Sequence, residues 1–517
     1  MKDLIFHILF PISIYFVILC SEITADRPCA ARHIPNRSLV CVCNETYCDE
    51  LTRVIPGKGQ YITYTSSAAG LRFQKGKGYF KTCSSNNNGD YLINVNADKK
   101  YQKVKGFGGA VTDSAAYLWK SLPKGMQQDL VNSYYGETGL EYNFVRTPIG
   151  CSDFSLRHYT YHDEPPKCKG MDSFSLQDED IKFKIPLIKK IKETSKVEVQ
   201  VVAATWTPPK WMKYFPETNP GCGFLKPNHY QTFADYLLKF VDSYTKMGVP
   251  IWGISTGNEP SLATFPDSPI SCMGWATKDQ GDWIVNNLGP TIRNSKYKDL
   301  QLLALDDQRF TISTVYDMML KNNSKVAEYI NGLAVHYYFD CFVSPDVVTD
   351  FTKKNPNAYV ISTEASTSSK GVDLGSWAHA KKYIKDMIQD FTHDVVGWMD
   401  WNLCLDPNGG PTVDKNFIDS PIIVDSKKKE FLKQPMYYIL GHVSKFVPRG
   451  SYRIDSSSPP CRCTVSNVAF LTPSNTIVVV IHNPDDARSV TIRQGNREAE
   501  IALKPDSVTT VEFSKCW

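Results

Sequence analysis

Eight short β-rich runs, several of them separated by helical patterns, constrain this chain more than any other feature. They span 102–110, 142–150, 197–204, 250–257, 301–305, 332–337, 358–363 and 395–400. Between them, 230–247 carries Phe233, Leu237, Phe240, Val241 and Tyr244 as an apolar stripe at helical spacing. Segment 176–196 opens with an acid-rich turn and ends in Lys, and 373–393 has similar amphipathic character. Strands alternating with helices eight times over predict an α/β fold, a (β/α)8 TIM barrel. The main rival, a doubly wound open sheet, would need a Gly-rich phosphate turn. Gly106-Phe107-Gly108-Gly109 follows an early strand but lacks the dinucleotide spacing, so that rival is rejected.

A barrel gathers the C-terminal ends of its strands into one mouth. In chain order the runs lead to Asp113, then Arg146 and Asp153, then Trp206, then Asn258 and Glu259. The later four lead to Asp306, Asp307 and Arg309, to His336 and Tyr338, to Glu364, and to Trp401 and Asn402. Glu259 and Glu364 are each the first acid after a short apolar β run. Paired carboxylates so placed suit glycoside hydrolysis, one protonating the leaving oxygen and one attacking the anomeric carbon. The competing reading is two capping or ion-paired glutamates. A retaining enzyme needs the carboxyls about 5 to 5.5 Å apart, a gap that sequence does not measure.

The neighbours of the pair fit a sugar site. An Asn directly before the first acid, Asn258, suits a sugar hydroxyl, as do Asp153, Asn402 and the loop residue Asn416. Arg146 is a candidate to keep Glu364 ionised, or equally a barrel-core ion pair. Trp206, Trp398 and Trp401 are candidate platforms for the sugar's apolar face, although any one of them could equally be core packing. His336 is placed either to orient a carboxylate or to serve a structural role. No Gly-x-Ser-x-Gly elbow, His-Glu-x-x-His or P-loop is present, and neither a cofactor nor a catalytic metal is expected.

Residues 1–25 read as a cleaved secretory signal, with a Lys near the start, an apolar run and Thr24-Ala25 before Asp26. No later stretch approaches the roughly 20 apolar residues that span a bilayer. Passage through an oxidising compartment would permit glycosylation at the sequons of Asn36, Asn44 and Asn322. Cys29, Cys41, Cys43 and Cys48 cluster at the mature N-terminus, read as a disulfide-stapled loop region in preference to a zinc site. Cys461, Cys463 and Cys516 could pair among themselves or with Cys83. The net charge of +4 becomes +5 once Lys2, Asp3 and Glu22 leave with the signal. Protonation of histidines in acid would raise it further and favour anionic membrane surfaces. No concentrated Lys/Arg stripe suggests nucleic acid.

The flanks, 26–96 and 451–517, are turn-rich, and 474–482 and 500–513 look like antiparallel strands. The expected organisation has four parts. They are the signal (1–25), a small disulfide-containing β region (26–53 with 403–434), a β-sandwich (54–100 with 451–517) and the barrel (101–402 with 435–450).

Several longer stretches carry a resemblance. They include Cys41-Val42-Cys43-Asn44-Glu45-Thr46-Tyr47-Cys48, Val104-Lys105-Gly106-Phe107-Gly108-Gly109-Ala110 and Arg146-Thr147-Pro148-Ile149-Gly150. To these are added Asn258-Glu259-Pro260-Ser261, Leu305-Asp306-Asp307-Gln308-Arg309, 395–403 and 416–425. Over almost the whole mature chain the sequence resembles glycoside hydrolase family thirty, in its branch acting on glucosylceramide. The resemblance implies Glu259 as acid/base and Glu364 as nucleophile of a retaining β-glucosidase that releases glucose and ceramide. It implies Asp153, Trp206, Asn258, Trp401 and Asn416 around the glucose ring, with His336 and Tyr338 supporting the carboxylates in the same substrate-binding set. It also implies disulfides Cys29–Cys41 and Cys43–Cys48, a saposin-type activator protein, an anionic lipid membrane surface and the lysosomal lumen. Secretion is a second destination.

Departures from the family pattern are His336-Tyr337-Tyr338 in place of His-Trp-Tyr and a shorter loop at 261–269. Cys168, Cys222, Cys341, Cys404 and Cys461 are additional, and some are expected to form further disulfides. The alternatives are a relative acting on another glycone, such as a xyloside or fucoside, and a non-catalytic glycolipid-binding protein.

Overall fold

Eight parallel strands close on themselves in simple sequential order. They are β1 (Gly106–Ala110), β2 (Phe144–Ile149), β3 (Gln200–Thr205), β4 (Gly253–Ser255), β5 (Gln301–Gln308), β6 (Gly332–His336), β7 (Tyr359–Glu364) and β8 (Val395–Asn402). The computed structural model describes residues 26–83, 91–164, 171–215, 222–264, 270, 272–368, 370–457 and 464–515. The signal segment, Cys168, Cys461, Cys463, Cys516 and part of the 261–269 loop lie outside these residues. Each expected run supplies one barrel strand. The first is corrected at its start, because its residues 102 and 103 end a different strand, Leu92–Lys103, before β1 begins.

Three helices of the outer layer matter below: α1 (Ile185–Thr194), α2 (Tyr230–Lys246) and α3 (Trp377–Thr392). The expected apolar stripe of α2 is buried, with Phe233, Leu237, Phe240, Val241 and Tyr244 turned to the barrel. α3 starts four residues later than the periodicity suggests, because Ser376 caps it and Gly375, at φ +79, turns the chain just before. α1 is preceded by a π-helical turn, Asp180–Lys184, which buries Lys184 between Asp113 and Asp180 at 3.2 and 3.0 Å.

Inside the barrel the side chains form layers. Phe144, Val202, Leu303, Ala334, Ile361, Val396 and Met399 make an apolar plug. Nearer the C-terminal ends the strands instead contribute Arg146, Asp306, His336 and Glu364, all buried. The polar layer stands on this plug.

The chain's two flanks meet in two sheets outside the barrel. A four-stranded sheet pairs Ala31–Arg32 and Val40–Asn44 with Ile422–Asp425 and Glu430–Lys433. Disulfides Cys29–Cys41 and Cys43–Cys48 staple its N-terminal part. A ten-stranded antiparallel-rich sheet forms the sandwich around Ile93, Val479, Ile481, Val490, Ile492, Val511 and Phe513. The expected strand at 500–513 is two strands, Arg497–Leu503 and Ser507–Ser514, because Lys504-Pro505-Asp506 turns the chain. A third disulfide, Cys222–Cys272, ties Cys222–Leu225 to Cys272–Gly274 beside the barrel mouth.

Candidate active site

A cavity of about 280 Å³ opens at the C-terminal end of the barrel. Glu259 and Glu364 line it, with Asp153, Trp206, Asn258, Tyr338, Trp401 and Asn416 among their neighbours. Ile270, Ile418 and the hydroxyl-bearing Ser366, Thr367 and Ser368 complete much of the wall.

Glu364 ends β7, and both of its oxygens are held. Arg146 Nη1 donates to Oε2 at 2.5 Å, and the Tyr338 hydroxyl donates to Oε1 at 2.7 Å. Burial raises the Glu364 carboxyl, and His336 and Arg146 offset only part of that rise. Arg146 itself lies in the lumen, where Asp306 and Glu364 outweigh its desolvation and raise its pKa further. Its Nη2 donates to Asn258 Oδ1 at 2.6 Å and to Asp306 Oδ2 at 2.9 Å. A guanidinium can only donate, so it fixes the carbonyl oxygen of Asn258 toward itself. The amide NH2 of Asn258 is thereby left for a ligand.

Glu259 sits just beyond β4 at φ 43, after Gly257 at φ 155. That left-handed backbone is strained for a glutamate. It is held by a hydrogen bond from Glu259 N to Asp306 O at 2.9 Å. Its Oε1 accepts from Gln308 Nε2 at 2.6 Å and from His336 Nδ1 at 2.9 Å. Oxygens of Glu259 and Glu364 and a nitrogen of His336 all lie within 4.8 Å of one another.

Asp306 is the hub beneath both glutamates. It accepts from Arg146, Ser255 Oγ (2.6 Å), His336 Nε2 (3.1 Å) and Thr363 Oγ1 (2.6 Å). Burial alone would raise its pKa, but Arg146 and the His336 hydrogen bond outweigh it and hold Asp306 well below the carboxylate range. Burial would likewise push His336 down, yet Glu364, Asp306 and Glu259 raise it to about 10. The protonated ring is thereby favoured, and its two nitrogens reach carboxyl oxygens of Glu259 and Asp306.

Trp206 and Trp401 stack with centroids 5.1 Å apart and planes inclined by 16°. The Arg146 guanidinium lies 5.1 and 5.3 Å from the two ring centroids. Asp153, on the loop after β2, accepts from Asn416 Nδ2 at 2.9 Å, and its buried Oδ1 has no partner among the described residues. Burial raises the Asp153 carboxyl to about 8.

The structure does not bring every strand-end residue to the cavity. His336 is fully buried below the floor and contacts carboxylates, not the cavity. Asn402 accepts from Thr112 Oγ1 at 2.7 Å beneath the wall. Trp398 points outward because side chains alternate along β8, and its Nε1 donates to Asp386 on α3. Asp113 pairs with Lys184, and Arg309 turns away to Asp340 and Asp390. Asp307 accepts from Ser261 N and Oγ, pinning the turn that follows Glu259.

Gln308 is a contact that the strand-end reading passes over, although it stands two residues beyond Asp306. Two groups of clustered ligand-type side chains occur near the mouth, Glu259–His336–Glu364 and Asp340–Asp386–Asp390. In the first, His336 is already engaged through both nitrogens.

The three sequons Asn36, Asn44 and Asn322 are exposed. Asn44 Oδ1 accepts from Thr46 N and Oγ1, an Asx turn within the sequon.

The pattern of the Glycosyl hydrolase family 30 TIM-barrel domain matches residues 104–447, and that of the Glycosyl hydrolase family 30 beta sandwich domain matches 450–511. The chain is 39% identical to the lysosomal acid glucosylceramidase of Mus musculus, over 88% of this chain and 89% of that protein. It is 38% identical to putative glucosylceramidase 3 of Caenorhabditis elegans, over 81% of each. Among solved structures, SrfJ from Salmonella typhimurium superposes with a TM-score of 0.81 at 22% identity. That match covers 88% of this chain and 99% of that one.

Proposed function

This chain belongs to glycosyl hydrolase family 30 and is a glycoside hydrolase, and from that premise we propose that it is a retaining β-glucosidase releasing glucose from glucosylceramide. The observation that carries the stereochemistry is the approach of Glu259 and Glu364 oxygens within 4.8 Å. Inverting enzymes hold their carboxyls about 6.5 to 9.5 Å apart to admit a water between them, so the short gap favours double displacement.

Glu364 is the nucleophile. Arg146 and Tyr338 hold its two oxygens and oppose its protonation. Glu259 is the acid/base. Gln308 and His336 occupy its Oε1, so Oε2 is the oxygen that meets the leaving group. In the first step Oε2 gives its proton to the ceramide oxygen as the bond from that oxygen to the anomeric carbon breaks and Glu364 bonds the carbon. In the second, Glu259 takes a proton from water, which displaces Glu364 and restores both groups.

Trp206 and Trp401 bound the glucose pocket, Asn258 donates to a hydroxyl beside the anomeric carbon, and Asp153 with Asn416 holds hydroxyls at the far end. His336 acts through the carboxylates and Tyr338 through Glu364.

The cellular setting belongs to the same proposal: a lysosomal lumen, an anionic membrane surface and a saposin-type activator. The lysosomal mouse relative and the mature net charge of +5, read from +4 less the signal's residues, support it. Among the described residues no helix is long and apolar enough to cross a membrane.

A mechanism-based β-glucoside epoxide tests the reading directly. Mass spectrometry should find the label on the Glu364 peptide, and labelling should track loss of glucosylceramide turnover. A label elsewhere, or activity only on xylosides or fucosides, would reject it.

A further inference from the structure

Behind the mouth, three buried carboxyls face one cation. Oxygens of Asp340, Asp386 and Asp390 lie within 4.8 Å of one another. Arg309 Nη1 stands 3.2 Å from Asp340 Oδ2 and 3.4 Å from Asp390 Oδ1. Its Nη2 donates to Asp340 O, Val343 O and Gln389 Oε1 at 2.8, 2.7 and 3.0 Å. Asp386 accepts from Trp398 Nε1 at 2.8 Å. Asp340 Oδ1 and Asp390 Oδ2 are buried with no partner among the described residues. Fully ionised, the group would carry a net charge of −2 away from water, a state that burial opposes.

The group joins the helical layer to the catalytic strand ends. Asp386 and Asp390 lie on the buried face of α3, where the helical period calls for apolar residues. Asp340 lies two residues beyond Tyr338, and its N–H donates to Tyr337 O at 3.0 Å. Tyr337 packs against both Tyr338 and Tyr383, which in turn packs on Trp398. A movement of Asp340 therefore moves the segment that presents Tyr338 to Glu364.

We propose that Arg309, Asp340, Asp386 and Asp390 form a proton-dependent clasp, which positions Tyr338 against Glu364 in acid and releases it as the carboxyls ionise. In the closed clasp one carboxylate pairs with Arg309 and the other two carboxyls each hold a proton. Opening returns those two protons to solvent.

The surrounding elements supply few countercharges. From β6 and its loop come His336, Tyr337 and Cys341, and the His336 charge is committed to Glu259 and Asp306. From α3 come Tyr383 and His393, the latter turned to Asp346 of Asp346–Lys354 at 3.8 Å. From β8 comes Asp400, which accepts from Tyr383 at 2.5 Å. Burial and mutual repulsion push Asp340 to about 8, burial pushes Asp386 to about 6, and Asp390 is raised well above the usual carboxylate range.

The test uses full-length enzyme carrying Asp386→Asn or Asp390→Asn, since an amide mimics the protonated carboxyl and never ionises. Hydrolysis of an aryl β-glucoside and thermal midpoints are followed from about pH 5 to about pH 7.5. In each variant the ratio of kcat at neutral pH to kcat in acid should rise by at least about threefold, with the corresponding KM ratio unmoved. The fall in melting temperature from acid to neutral pH should shrink by about half. Asp390→Leu, which cannot hydrogen-bond, should lower kcat at both ends of the range, and Asn should restore it.

The kinetic arm rests on Glu364 being the nucleophile, whereas the melting arm does not, so the two readings fail separately. Unchanged pH profiles and melting slopes in both Asn variants would overturn the clasp, as would Asn variants that fail to fold in acid. A rise in melting temperature with millimolar calcium, lost in Asp386→Asn, would overturn it in favour of a cation site.

Discussion

Most buried carboxyls around the barrel mouth, Asp306 apart, and the buried histidines of the sandwich have opposite proton preferences. Around the mouth Asp153, Asp307 and Asp340 are pushed by burial to about 8, 6 and 8. Where the sandwich meets the barrel helix Pro435–Ser444, His442 is pushed down to about 3, and His482 within the sheet to about 4. A carboxyl raised above its unfolded 3.8 contributes stability that is complete below that value and is lost as pH rises toward the folded one. A histidine depressed below its unfolded 6.5 contributes stability that is complete above that value and is lost as pH falls toward the folded one. The mouth is thus an acid-adapted region mounted on a neutral-adapted support. The support buries charge as well, in the Arg53–Glu512 pair, but there each carboxylate has a cation beside it.

The sharpest way to break this contrast is to neutralise the mouth. Glu364→Gln should abolish turnover, by on the order of 10⁴-fold or more, while leaving the melting temperature at neutral pH unchanged or raised. Near-normal kcat would remove Glu364 from the chemistry. Glu259→Ala should slow glucosylceramide more than an activated aryl glucoside, whose leaving group needs little acid help. Equal losses on both substrates would contradict the assignment. Next in size, Arg146→Met leaves Glu364, Asp306 and Asn258 without their shared donor. Denaturant unfolding should report a loss of about 3–5 kcal/mol together with inactivity. A stable, inactive protein would show that the mouth's charges are energetically independent of the barrel.

How far this contrast was legible in the sequence depends on period. The eight strands were, because parallel barrel strands are continuous apolar runs and their first polar residues mark the mouth. The layer beneath was less so. Counting by twos from the inward Leu303 places Asp307 in the lumen. A bulge with Leu305 at φ 73 and Asp306 at φ 53 slips the strand, so Asp306 faces inward. Nothing in Leu305-Asp306-Asp307-Gln308-Arg309 announces that slip, and it also sends Gln308 to Glu259 and Arg309 outward. Trp398 and Trp401 look alike in sequence, yet three residues apart on β8 they face opposite ways, one to the helical layer and one to the mouth. Cys222–Cys272 joins residues 50 apart, a distance that sequence spacing does not reveal.

The support can be weakened without touching the chemistry. Ile481→Ala, in the fully buried sandwich core, should cost about 3 kcal/mol in unfolding free energy. Its kcat/KM per folded molecule should be unchanged, because the sandwich core and the lumen plug share no residue. A parallel loss of kcat/KM would tie the two regions together.

The smallest expected effect tests the sign of the comparison. His442 is fully buried, its Nδ1 and Nε2 each 2.9 Å from a hydroxyl, Thr510 Oγ1 and Ser66 Oγ. Among the described residues no carboxylate is paired with it, so protonation on folding is disfavoured and the unfolded chain takes up the proton first. Between neutral pH and about pH 5 this linkage should remove about 2 kcal/mol of stability. His442→Gln keeps a hydrogen-bonding side chain that does not titrate. It should lower stability at neutral pH by about 1 kcal/mol, through one imperfect hydrogen bond. It should also erase the acid loss, so that the variant overtakes the parent near pH 5 in urea unfolding. If the two urea curves instead keep a constant offset across that range, the support is not the neutral-adapted half. The acid preference of the molecule would then rest on the mouth's carboxyls alone.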